Sequence, residues 1–434
     1  MTIAGLCGLI IFVLLAVMLI AGVPIAVALA VSSICAILPV LNMGASVLTG
    51  AQRIFSGISV FSLLAIPFFI LAGNLMNKGG IAIRLINFAK LFTGNIPGAL
   101  AHTNAVANML FGAISGSGTA AASAMGSIIG PIEEEEGYDR DFSAAANIAT
   151  APTGLLIPPS NVMITYSLVS GGTSVAALFM AGYIPGILMG VGSMVVAFIY
   201  AKKHKYPTSG KTPMKEALKV TLEAIPSLLL IIIVIGGIVA GIFTATEGAG
   251  ICVLYCLILS VCYRSITVKS FMKILVSSAC TSGIILFLIS ASSAMSFVMA
   301  YSGIPAAIST GIMSISTNKY VILLLMNIIL MVVGMFMDIT PAILIFTPIF
   351  LPIAQSLGMT DIQFGVMLIF NMCLGNITPP VGSVLFVGCG ISKISIEEVT
   401  KTLLPYFAVL FLLLLAVTYI PALSLGIPTL MGLI

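Results

Sequence analysis

The residues best suited to chemistry lie in two short stretches. The first, Gly112-Ala113-Ile114-Ser115-Gly116-Ser117-Gly118-Thr119, combines glycines that permit a sharp turn with three hydroxyls that offer hard oxygens to a cation. The second, Gly334-Met335-Phe336-Met337-Asp338-Ile339-Thr340-Pro341, carries the only acid between Gly248 and Thr360. Downstream of each lies a run of helix breakers: Thr153-Gly154 with Pro158-Pro159-Ser160-Asn161, and Gly375-Asn376-Ile377-Thr378-Pro379-Pro380 with Gly382 and Ser383. A broken helix leaves backbone carbonyls free for a cation and turns the positive end of its second half toward an anion. On this reading Ser117, Thr119, Thr153, Gly154 and Pro158 supply one cation site, and Gly334, Asp338, Thr340, Gly375 and Thr378 supply another. Ser115, Gly116, Ser160, Asn161, Gly382 and Ser383 are placed to contact a solute. Plainer roles stand beside these: small residues permit tight helix packing in membranes, and Asp338 precedes Thr340 and Pro341 as a helix cap would.

Hydropathy dictates what positions these residues. Of 434 residues, 60% are hydrophobic and only 7% charged, with a mean hydropathy of +1.24, whereas an ordinary soluble domain is about 25% charged. Runs such as 6–20, 227–242 and 406–423 suit spanning helices, which need roughly 20 apolar residues. The alternation of a membrane β-barrel is absent. The N-terminal run has no basic region and no small-residue cleavage site, and stays apolar to Leu41, so it is expected to be retained rather than removed as a signal peptide. The eight cysteines form no C-x-x-C pair and read as small core residues rather than zinc ligands or disulfides.

The placement of charge gives a topology. Lys202, Lys203, His204, Lys205, Lys211, Lys215 and Lys219 form a basic loop over 202–219, which the positive-inside rule assigns to the cytoplasm. Spans at about 220–243 and 248–263 return Arg264, Lys269 and Lys273 to the same side. Backward from the loop, spans at about 175–200, 58–77, 24–41 and 3–21, a broken helix and a re-entrant hairpin keep Lys78, Arg84, Lys90 and Arg140 inside. Of the 17 Lys and Arg, all but Arg53 and Lys319 then face the cytoplasm, and both termini face the periplasm.

At an offset of 221, Thr119 aligns with Thr340, Pro131 with Pro352, Gly137 with Gly358, Gly154 with Gly375, and Pro158-Pro159 with Pro379-Pro380. The predicted architecture is an all-α polytopic membrane protein of two repeats. The first, 1–201, has a hairpin over about 95–132 and a broken helix over about 143–170; the second, 220–434, has them over about 320–355 and 363–390. An odd number of crossings between them makes the repeats inverted, which is a transporter arrangement with its site at the membrane midplane. Hydroxyls and carbonyls with a single carboxylate favour Na+ over protons as the coupling ion.

Rival classes fare worse. No G-x-x-x-x-G-K-[ST] loop or soluble nucleotide domain is present for an ATP-driven pump. A membrane hydrolase using Ser117 lacks a base, since His102 and His204 are the only histidines, the first expected at the membrane interface by a hairpin base. A channel would need a repeated filter or a ring of charge. Glu133 to Glu136 read as a solvated acidic face, Glu247 as a cap, and 80–92 as an amphipathic interfacial helix with a counterpart over 304–317.

These residues resemble a known family, the large membrane subunit of tripartite ATP-independent periplasmic (TRAP) transporters. The likeness runs through Ile66-Pro67-Phe68-Phe69-Ile70-Leu71-Ala72-Gly73, 109–118, 241–247 and Asn376-Ile377-Thr378-Pro379-Pro380-Val381-Gly382. Four adjacent acids at Glu133–Glu136 depart from the family's pattern. The resemblance implies a sodium-driven importer of organic acids in the bacterial inner membrane. It further implies an elevator motion of a hairpin-bearing transport domain against a scaffold, a periplasmic substrate-binding protein and a small four-helix membrane subunit. Because the sequence starts at its first span, that subunit is expected to be a separate chain. The expected cargo is a small anionic solute such as a C4-dicarboxylate or sialic acid, and no nucleic acid is expected among the partners.

Overall fold

In hydrocarbon each backbone polar group must be paired within its own segment, so long apolar runs fold as helices. The computed structural model describes residues 3–208, 210, 213–315, 318–379 and 381–434, and these contain helices and no strand. Lys211, Thr317 and Pro380, which belong to the predicted basic loop, amphipathic helix and second proline pair, lie outside the described residues.

In the first half the helices are α1 (Ile3–Ile20), α2 (Ile25–Ala36), α3 (Met43–Ile58), α4 (Ala65–Lys78) and α5 (Ile81–Thr93). The hairpin follows as α6 (Ala99–Ser115) and α7 (Gly118–Glu135), then the broken helix as α8 (Arg140–Thr150), α9 (Thr153–Leu156) and α10 (Asn161–Val169), then α11 (Val175–His204). The second half has α12 (Met214–Val239), α13 (Ala245–Cys262), α14 (Val268–Ser302) and α15 (Ile304–Ile315). Its hairpin is α16 (Lys319–Phe336) and α17 (Ile339–Ser356), its broken helix α18 (Asp361–Gly375) and α19 (Ser383–Ser392), and α20 (Ile396–Tyr419) and α21 (Ala422–Leu430) close the chain. Among the described residues nine helical segments are long and apolar enough to cross a membrane.

Two expectations are corrected. Within the span predicted over 24–41 the regular helix is only the 12-residue α2, and the chain continues in turns after Ala36, with Leu41 N–H bonded to Ile37 O, so the segment is not one unbroken helix of the roughly 20 residues usual for a span. A separate helix, α3, follows, capped by Asn42, whose Oδ1 accepts from Ala45 N–H at 2.9 Å. The basic loop is also shorter than 202–219, since α11 runs to His204 and α12 begins at Met214.

The offset of 221 reappears helix by helix: α7 and α17, α8 and α18, and α11 and α20 each begin one offset apart. Pro152 and Cys373, themselves one offset apart, touch, with Cys373 Sγ 3.6 Å from Pro152 O. Equivalent positions meet in this way where two like units pack about a local axis. The broken helices lie deepest: every residue of α18 from Ile362 to Gly375 is buried, as is α8 from Phe142 to Thr150. Helix α1, by contrast, buries only Cys7, Gly8, Ile11 and Leu15, the pattern of an outer helix with an apolar surface for lipid.

Candidate functional site

At the first tip α6 ends on Ser115, and the chain reverses through Gly116, whose φ of 62° is left-handed, a conformation that costs glycine little. Gly116 also admits a neighbour: a Cβ there would stand 2.7 Å from Asn161 Nδ2. Ser117 is the N-cap of α7, its Oγ accepting from Ala120 N–H at 3.2 Å and lying 3.1 Å from Thr119 Oγ1. Behind the tip the hairpin presses on the broken helix so closely that a Cβ on Gly154 would be 2.2 Å from Gly112 Cα. A buried carboxamide clamp holds that contact: Asn108 Nδ2 is placed to donate to Asn104 Oδ1, Asn147 Oδ1 and Thr150 Oγ1 at 2.8, 3.1 and 2.9 Å.

The second tip repeats the plan with different atoms. Gly334 and Gly375 make the close approach, a Cβ on Gly375 falling 2.6 Å from Gly334 Cα. Asn371 Nδ2 bonds Asn327 Oδ1 and its carbonyl, both at 2.9 Å. Asp338 occupies the N-cap position of α17 but makes no capping bond, so the plain reading of this acid as a helix cap does not hold. Its Oδ1 instead accepts from Asn376 Nδ2 at 3.2 Å and Ser383 Oγ at 3.3 Å, tying the tip to both halves of the second broken helix. Gly382 N–H bonds Met335 O at 3.0 Å, a further tie between α19 and the tip.

Both tips open on one cavity of about 370 Å³. Of the predicted residues, Ser115, Gly116, Ser117, Thr119, Asn161, Asp338 and Thr340 line it. The others stand behind. Thr153 and Thr378 are buried with their hydroxyls bonded to Thr150 O and Leu374 O, each at 2.6 Å. Ser160 bonds Leu155 O at 2.6 Å and caps α10. Pro158 is buried in the break, Gly154, Gly334 and Gly375 form the close contacts, and Gly382 and Ser383 start α19 beside Asp338. Asn74, Asn77, Thr281 and Asn376 also line the cavity and were not singled out from the sequence. The α4 pair had a signal, since Ile70, Gly73, Asn74 and Asn77 recur at the spacing of one helix face.

Four helices present N-termini here: Ser117 to Ala120 open α7, Asn161 and Val162 open α10, Asp338 to Thr340 open α17, and Val384 lies in the first turn of α19. Each end carries about half a positive charge. No Lys, Arg or His is among the described lining residues. A second cavity, of about 360 Å³, lies among α7, α8 and α19 with the exposed Arg140–Glu134 pair at its rim, and contains none of the predicted site residues.

Elsewhere the acidic run is only partly solvated. Glu134 to Glu136 are exposed, but Glu133 is fully buried and accepts from Ser143 Oγ; a helix turns about 100° per residue, so four adjacent side chains cannot share one outward face. Burial pushes its carboxyl up to about 7, opposed by the Ser143 hydrogen bond and assisted by the charge of Glu136. Glu247 forms a capping box with Thr244, as expected. His102, in the first turn of α6 at the hairpin base, is buried beside Phe198 of α11, ring centroids 6.5 Å apart.

The family model for the DctM component of tripartite ATP-independent periplasmic transporters matches residues 12–423. The chain is 53% identical over 415 residues to YgiK of Salmonella typhimurium, covering 96% of this chain and 95% of that protein. It is 36% identical over 439 residues to the C4-dicarboxylate TRAP transporter large permease protein DctM of Rhodobacter capsulatus, covering 98% and 99%. To the sialic acid TRAP transporter large permease protein SiaM of Vibrio cholerae it is 35% identical over 414 residues, covering 95% and 96%. The crystal structure of the Alcanivorax borkumensis YdaH transporter matches with a TM-score of 0.62 at 16% identity, over 91% of this chain and 90% of that one, a likeness of fold.

Proposed function

Because this chain belongs to the DctM family, the large membrane component of tripartite ATP-independent periplasmic transporters, we propose that it carries a carboxylated organic solute into the cell, driven by sodium. The observation that carries the reading is the convergence of two hairpin tips and two broken helices on one cavity with four helix N-termini and no cationic side chain among its described lining residues. A carboxylate entering it is met by backbone N–H groups and helix dipoles. The single carboxylate of Asp338, the hydroxyls of Ser117 and Thr119, and backbone carbonyls at the helix breaks are the kinds of oxygen a sodium ion accepts.

The repeats are inverted in the membrane, with both termini periplasmic and 1–201 and 220–434 as the two units around a basic cytoplasmic turn. The hairpins and broken helices move together as a transport body while the outer helices stay as scaffold. Solute is delivered by a periplasmic binding protein, and a small membrane subunit completes the scaffold. Relatives named for C4-dicarboxylates and for sialic acid support an organic acid as cargo. In proteoliposomes holding both membrane subunits and supplied with the binding protein, uptake follows an imposed sodium gradient. Uptake that follows a proton gradient and ignores sodium overturns the coupling, and full uptake by this chain alone favours a standalone carboxylate symporter.

A further inference from the structure

Part of the cavity wall belongs to neither a hairpin nor a broken helix. Ile70, Gly73, Asn74 and Asn77 lie on one face of α4, and Thr281 comes from α14. Gly73 sets this face directly against the first tip, since a Cβ there would stand 3.0 Å from Ser115 Cα and from its carbonyl oxygen. Asn74 Nδ2 donates to Ser278 Oγ at 2.8 Å, which orients the carboxamide and leaves its oxygen as an acceptor. For the Asn77 carboxamide and the Thr281 hydroxyl no protein partner exists among the described residues. Both side chains are exposed at the cavity wall, and a carboxamide both donates and accepts.

The wall carries no charge, whereas the helix N-termini that also line the cavity are the groups suited to a carboxylate. The wall suits neutral oxygens. We propose that the α4–α14 wall, through Asn74, Asn77 and Thr281, reads the hydroxyl or carbonyl groups of the carried acid beyond its carboxylate and thereby sets which organic acid is taken. The proposal rests on the cavity being the solute site. A site built to bond a substrate hydroxyl discriminates strongly against the analogue lacking it, because its own polar groups are then left unpaired.

The test compares two acids that differ by one hydroxyl: the acid that the wild-type complex takes up and its deoxy counterpart, malate and succinate for a dicarboxylate system. Uptake of both by the complete reconstituted transporter is measured for wild type, Asn74→Leu, Asn77→Leu and Ser278→Ala. The preference for the hydroxylated acid falls about two- to tenfold in the two Asn variants, the range for one lost hydrogen bond, while the sodium concentration for half-maximal uptake stays put. Ser278→Ala lowers the preference less than Asn74→Leu does, because the carboxamide oxygen remains but is no longer held in place. Equal loss for both acids, a shifted sodium dependence, a wild type that prefers the deoxy acid, or a Ser278→Ala variant that copies Asn74→Leu each overturns the proposal. A wild-type complex that takes up no organic acid under a sodium gradient instead sinks the functional reading, and this proposal with it.

Discussion

Ser117 and Asp338 occupy equivalent places one offset apart, at the first residue before the second arm of each hairpin, yet they are bonded differently. Ser117 spends its oxygen locally, capping α7 through Ala120 N–H. Asp338 leaves its own helix uncapped and reaches across to Asn376 and Ser383. A repeat therefore conserves the path of the backbone while each copy uses its tip residue for a different purpose. The first tip is stabilised from within, and the second is held by the broken helix it faces. Residues at matching positions in such a fold are comparable in location but not in the effect of their loss.

The largest effects test what the halves share. Gly154→Ala and Gly375→Ala each drive a Cβ into facing backbone, at 2.2 Å from Gly112 Cα and 2.6 Å from Gly334 Cα. Each should lower stability by about 3 kcal/mol, the upper range for overpacking, read as a drop in melting temperature in detergent. Unequal outcomes, with only one variant destabilised, would break the equivalence of the two hairpin contacts.

Next come the tips, where the halves should part. Asp338→Asn keeps shape but removes the charge, and should weaken sodium dependence by about 2 kcal/mol, roughly thirtyfold, while leaving the melting temperature close to wild type because no cap is lost. Ser117→Ala should raise the half-maximal sodium concentration only severalfold, and should also lose about 1 kcal/mol of stability as α7 loses its N-cap. Identical profiles for the two variants would return the tips to a single role.

The smallest effect concerns Glu133, whose counterpart one offset away is the buried Ala354. The Glu133 carboxyl, ordinarily near 4.5, is raised to about 7 in the fold. Its folded value exceeds its unfolded one, so its stabilising contribution is complete below about 4.5 and is lost as pH rises through about 7. Between pH 6 and pH 8 the wild type should lose about 1 kcal/mol from this group, and Glu133→Gln, measured by thermal melting across that interval, should flatten the fall. A slope unchanged by the substitution would place the pH sensitivity elsewhere.

Composition, hydropathy and helix breakers carried much of this protein. A charged fraction of 7% and the long apolar runs require a helical membrane protein, because hydrocarbon leaves the backbone no other way to pair its own groups. Gly and Pro at a constant spacing marked the hairpins and breaks to within a few residues, since these residue types act on their own backbone wherever they occur. What escaped were features that depend on a partner distant in sequence. The cap expected of Asp338 follows from local geometry, and only Asn376 and Ser383, brought in by α18 and α19, redirect it.

The α4 wall divides in the same way. The one-face spacing of Gly73, Asn74 and Asn77 is written in the sequence. Whether that face meets lipid, protein or solute depends on which helix packs opposite it, and it is the approach of Ser115 to Gly73 that turns it into the cavity. Glu133 shows the limit most directly: helical periodicity says that one of four adjacent acids must turn inward, but only the packing of α8, which brings Ser143 to its carboxylate, decides which one.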